Sequence, residues 1–128
     1  MYKLFRVSWL WLILFIIFIG LLIFLSSLPL NMAHTTSFIL VDKIIHFVYF
    51  MGLSGLLNFY WASEHRTSYL PYGWLSILII ASIGAFDEWL QSYTPGRSGN
   101  DLGDLIADCI GAVVGYLIVR LIYRYTYK

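Results

Sequence analysis

The chain has 128 residues, of which 60% are hydrophobic, 19% aromatic and only 12% charged, against the roughly 25% charged content of soluble domains. Such a composition belongs in a bilayer, and a formal net charge of +1 gives no indication of a nucleic-acid partner. The single cysteine, Cys109, excludes an intrachain disulfide and carries no information on compartment.

A hydrocarbon core of about 30 Å is crossed by about 20 apolar residues rising 1.5 Å each. The first such run extends from Val7 to Leu25 behind Lys3 and Arg6, and is followed by "SSLPL". Signal-peptide apolar regions span about 7 to 15 residues and end at an A-x-A-like site, so the run reads as an uncleaved signal anchor. Helices are expected at roughly 7–28, 43–61, 70–91 and 103–123. The stretches between them, "PLNMAHTTSFILVD", "ASEHRTSY" and "SYTPGRSGND", have the composition of connections. Nothing is left over for a soluble domain. The expected fold is an all-α membrane protein, a four-transmembrane-helix bundle forming one domain over 1–128.

Lys and Arg set the orientation of such a bundle. With a cytoplasmic N-terminus, Lys3, Arg6, Arg66, Arg120, Arg124 and Lys128 lie inside, and only Lys43 and Arg97 outside. Both termini are therefore expected in the cytoplasm of a bacterial inner membrane. Tyr60, Trp61, Tyr69, Tyr72, Trp74 and Tyr123 would mark the inner interface, and Trp89 and Tyr93 the outer one.

This topology brings "VDKIIH", "FDEWLQ" and "DLGDLIAD" to one membrane depth. Asp42, Lys43, His46, Asp87, Glu88, Gln91, Arg97, Asp101, Asp104 and Asp108 become neighbours, and among the acids only Glu64 lies elsewhere. At 100° per residue Asp42 and His46 share a face, and Asp101, Asp104 and Asp108 form a stripe that Gly111 and Gly115 continue. Glycines spaced G-x-x-x-G admit a neighbouring backbone, so the stripe should face the bundle interior. A lipid-facing Asp108 would cost a few kcal/mol. Lys43, Arg97 and His46 are the available partners.

Several of these residues also have ordinary structural roles. Asp42 could cap the second helix, and Asn100 or Asp101 the fourth. Arg97 could pair with Asp101 or Asp104. Pro95 and Gly96 suit the two central positions of a type II turn. His34 and His65 stand alone in loops. Metal ligation by His46 with two carboxylates is conceivable, but no spacing matches a known metal loop. Ser92 and Ser98 lack a nucleophile context. No metal site or cofactor is assigned from the sequence.

At "DKIIHF", "DEWLQ", "PGR" and "DLIADCIGAVVG" the chain resembles the VanZ-like family of small bacterial membrane proteins, over the second to fourth helices in order. It departs from the family's usual Asn at Asp108 and usual Tyr at Phe50. The resemblance implies an envelope-related, multi-pass protein and lowered sensitivity to the glycopeptide teicoplanin, and supplies no reaction.

The expected site comprises Asp42, Lys43, His46, Glu88, Gln91, Arg97 and Asp104. In the leading reading Arg97 and Lys43 engage an anionic envelope lipid, glycan or glycopeptide group while the carboxylates orient them. In an alternative, an enzyme acts on an envelope lipid with Glu88, Asp104 or His46 as general base or metal ligand. A structural accessory subunit, its cluster an ion-pair lock, is a third reading.

Overall fold

The computed structural model describes residues 7–29, 36–65 and 69–126. They form four antiparallel helices, α1 (Ser8–Ser26), α2 (Thr36–Glu64), α3 (Tyr69–Gln91) and α4 (Leu102–Thr126). Each contains a stretch long and apolar enough to cross a membrane: Ser8–Ser26, Leu40–Glu64, Pro71–Gln91 and Leu102–Thr126. Lys3, Arg6, His34, Arg66 and Lys128, used above for orientation or set aside, lie outside the described residues.

α1 has no polar face, and Ile13, Ile16, Ile17 and Phe24 point outward from the bundle. An all-round apolar surface of this kind requires lipid as solvent. The core fills with Phe50, Leu53, Leu57, Ile80 and Ala112, against which α1 sets Phe15 and Leu22. A second cluster of Ala62, Tyr116 and Val119 closes the opposite end.

α2 and α4 make the tightest seam. A Cβ added at Gly111 would run into the Phe47 carbonyl oxygen, and one at Gly115 into the Met51 carbonyl oxygen. Main-chain atoms cannot rotate aside, so only glycine permits this approach. Ser54 Oγ donates to the Ala112 carbonyl at 2.6 Å across the seam. Asn58 Nδ2 donates to the Ser54 carbonyl at 2.8 Å and to Ser76 Oγ at 2.6 Å, joining α2 to α3. Interhelical hydrogen bonds in lipid contribute about 0.6 kcal/mol on average.

Both ends of α2 and the end of α4 differ from the sequence reading by three residues or more, α2 running on to Glu64 beyond Trp61. α2 begins at Thr36 and not at Lys43, because the apolar run Phe38 to Val41 prolongs the helical pattern with no Pro or Gly to stop it. Asp42 therefore lies inside the helix and does not cap it. α4 likewise runs on to Thr126, beyond Tyr123.

The α3–α4 connection follows its turn chemistry. The Arg97 amide donates to the Thr94 carbonyl at 3.2 Å, and Gly96 has φ of 79°. With Pro95 confined to negative φ, this is a type II turn.

Candidate functional site: a buried acidic chamber

Because the helices alternate in direction, the C-terminal ends of α1 and α3 meet the N-terminal ends of α2 and α4. All the polar residues anticipated above gather there. Six of the chain's seven acids belong to the gathering, with Lys43, His46 and Arg97 as the basic groups.

Asp101 opens α4. Its Oδ1 accepts the Gly103 amide at 2.7 Å, the bond expected of an N-cap carboxylate. Its own amide donates to Glu88 Oε2 at 2.7 Å. Lys43 Nζ donates to Asp101 Oδ2 at 3.1 Å and to Asp104 Oδ1 at 2.9 Å. Partial burial works against the ionised Asp101 carboxylate, yet the Lys43 ammonium and the Gly103 amide outweigh it and hold the carboxyl below its ordinary value.

Deeper along the same face, His46 Nδ1 lies 2.9 Å from Asp108 Oδ1, both residues buried. Gly84 of α3 makes room for this pair: a Cβ there would stand 2.7 Å from Asp108 Oδ2. Asp87 is 2% exposed; it accepts hydrogen bonds from Ser26 Oγ of α1 and, at 2.8 Å, from Gln91 Nε2. Two buried carboxylate oxygens, Glu88 Oε1 and Asp108 Oδ2, have no hydrogen-bond partner among the described residues.

Arg97 behaves differently from either sequence expectation of an acid partner. Its Nη2 donates to the Leu25 carbonyl at 2.6 Å and its Nε to the Leu28 carbonyl at 3.4 Å. The guanidinium thus finishes the C-terminus of α1, whose last carbonyls lack helical partners and attract cations. Among the described residues Arg97 forms no ion pair; its hydrogen bonds go to carbonyl oxygens, and Asp87 across the cavity is the carboxylate that feels its charge.

A cavity of about 240 Å³ opens between α1, α2 and α3. Asp42, His46, Asp87, Gln91 and Arg97 supply its polar wall, and Leu22, Leu25, Ile45, Tyr49 and Phe50 its apolar wall. A second, apolar groove of about 460 Å³ runs between α1 and α3, and shares Leu22 and Asp87 with the first. Of the residues expected at the site, Lys43, Glu88 and Asp104 stand outside the cavity lining, although all three join the hydrogen-bonded cluster behind it.

Two of the buried acids, Asp87 and Asp108, belong to the expected cluster but not to the expected binding set. Ser26 and Thr94, whose Oγ1 donates to the Ser26 carbonyl at 2.9 Å, were not anticipated; "SSLPL" gave the only signal. His65 is not isolated, for its ring stacks on Tyr72 with centroids 3.8 Å apart.

No curated protein and no solved structure matches the chain. A family model described as VanZ/LLP1 matches residues 4–123, nearly the whole length and all four helices that build the chamber. The chain is therefore a four-helix, multi-pass membrane protein that belongs to the VanZ/LLP1 family.

Proposed function

We propose that the protein binds the anionic headgroup of an amphipathic envelope lipid, with Arg97 as the group that engages it. The observation that carries this reading is the cavity, which sets an Arg97 guanidinium with no ion pair among the described residues beside buried polar side chains and shares Leu22 and Asp87 with an apolar groove between α1 and α3. A headgroup would sit against His46, Gln91 and Arg97 while its chain lies along Leu22, Ile79 and Ile83. Lys43, whose ammonium is spent on Asp101 and Asp104, positions those carboxylates and does not contact the ligand. The Lys and Arg distribution supports both termini in the cytoplasm and the chamber at the outer leaflet. Reduced teicoplanin sensitivity on expression would follow from occupation of an envelope lipid there.

The test is lipid retention by purified protein in native mass spectrometry, comparing phosphatidylglycerol and a polyprenyl phosphate with phosphatidylcholine. The anionic lipids should be retained and Arg97→Ala should release them. Equal retention of the zwitterionic lipid, or retention unchanged by Arg97→Ala, would overturn the proposal. A second reading, an enzyme acting on the same lipid, is favoured by the unpartnered Glu88 oxygen in the cluster with His46. Turnover of the bound lipid abolished by Glu88→Gln would establish it.

A further inference from the structure

Glu88 is 4% exposed. One of its oxygens accepts the Asp101 amide, but Oε1 has no partner among the described residues although it is shut away from solvent. A buried carboxylate oxygen without a hydrogen bond is unfavourable unless a proton or a cation completes it. A ring nitrogen of His46, a carboxylate oxygen of Asp87 and one of Glu88 all lie within 4.8 Å of one another, and all three residues are buried. Ligands at about 2.1 Å from a shared ion stand at most about 4.2 Å apart. Small side-chain rotations would close the set.

The surroundings suit an ion as well. His46 Nδ1 lies 2.9 Å from Asp108 Oδ1; in the tautomer whose Nδ1–H donates to that carboxylate, Nε2 carries the lone pair for coordination. Histidine ligands of metals are typically backed by a carboxylate in this way. Asp42, His46 and Asp104 form another group of similar span, but Asp104 is taken by the Lys43 ammonium at 2.9 Å. Among the described residues no Lys or Arg forms an ion pair with Asp87 or Glu88. One imidazole with two carboxylates matches zinc or manganese better than the all-oxygen shells of magnesium or calcium.

We propose that His46, Asp87 and Glu88 bind a single divalent transition-metal ion of the Zn²⁺ or Mn²⁺ class, with Asp108 orienting His46. His46 and Asp87 also line the cavity, so the ion's remaining coordination positions face the space where a ligand would enter. Its two positive charges would offset part of the acidic excess that the bilayer otherwise makes costly.

The experiment uses the full chain in detergent, stripped with chelator and dialysed against Zn²⁺ or Mn²⁺ alone. Metal is counted by mass spectrometry, and nitrogen coupling to bound Mn²⁺ is read by pulsed electron paramagnetic resonance. About one equivalent per chain is expected, with coupling to one imidazole nitrogen. Glu88→Gln and His46→Gln should each weaken binding about tenfold or more. Asp101→Asn, which keeps the backbone amide bonded to Glu88, should leave it unchanged. Sub-stoichiometric uptake by the unaltered protein, absence of imidazole coupling, or an equal loss in Asp101→Asn would overturn the proposal. The first two readouts need no variant to fold. No lipid enters the measurement, so it succeeds or fails separately from lipid binding.

Discussion

His46 and Asp108 meet across the α2–α4 seam, Nδ1 to Oδ1 at 2.9 Å, with the Asp108 side chain fully buried. Removing one member of a buried pair leaves the other without its partner, at about 3 kcal/mol or more. Asp108→Ala should therefore destabilise the protein by roughly that amount in a denaturant titration of detergent-solubilised protein. Asp108→Asn keeps an oxygen that accepts from His46 and should cost about 1 kcal/mol. Equal losses in the two variants would show that the hydrogen bond is not what matters there.

The glycines differ sharply in what surrounds them. Gly111→Ala pushes a methyl group toward the Phe47 carbonyl oxygen and should destabilise by about 1–3 kcal/mol, as overpacking does. Gly20→Ala on α1 meets nothing within 4 Å and should stabilise by up to about 1 kcal/mol through helix propensity alone. Thermal unfolding of both variants in the same detergent distinguishes contact from propensity.

Asp101 predicts an acid limb. Its carboxyl is held below the ordinary value of 3.8 despite some opposing burial, because Lys43 and the Gly103 amide favour the charged form. A group depressed in the folded state stabilises above its unfolded pKa and loses that contribution as pH falls through the folded value. Stability should thus begin to decline near pH 3.8, and Asp101→Asn should flatten the decline while preserving the cap. A slope identical in the variant would assign the acid sensitivity elsewhere.

The type II turn depends on Gly96 at φ of 79°. Gly96→Ala places a Cβ in left-handed backbone and should cost about 1 kcal/mol. Asn100, at φ of 64°, belongs to the residue types that tolerate this region, so Asn100→Gly should be neutral or stabilising. Melting temperatures of the two variants should move in opposite directions or only the first should move.

The membrane architecture was legible because hydrophobic run length is a one-dimensional property: Val7 to Leu25 needs no partner to be recognised. The depth of the acids was legible too, since four antiparallel spans force "VDKIIH", "FDEWLQ" and "DLGDLIAD" to one end. The Gly111 and Gly115 stripe was correctly turned inward by helical phase. Pairing was much less accessible. Lys43 and Arg97 look interchangeable in the sequence, yet Lys43 binds Asp101 and Asp104 while Arg97 closes α1 through Leu25 and Leu28. That division depends on how close α1 comes to the α3–α4 turn, which no periodicity encodes. The sequence leaves open whether Asp42 caps α2 for a related reason, and Thr36–Val41 extends the helix backward and puts Asp42 inside it.

Gly84 gives the chamber a mechanical property. The three atoms nearest an added Cβ at this point of α3 all belong to Asp108, Oδ2 being closest at 2.7 Å. The gap between α3 and α4 is therefore gauged there against a carboxylate. Anything that enlarges the space Asp108 requires, such as a bulkier residue, presses on the α3 backbone at Gly84, where no side chain stands to yield. The width of the bundle at its polar end is in this way geared to the state of one buried acid.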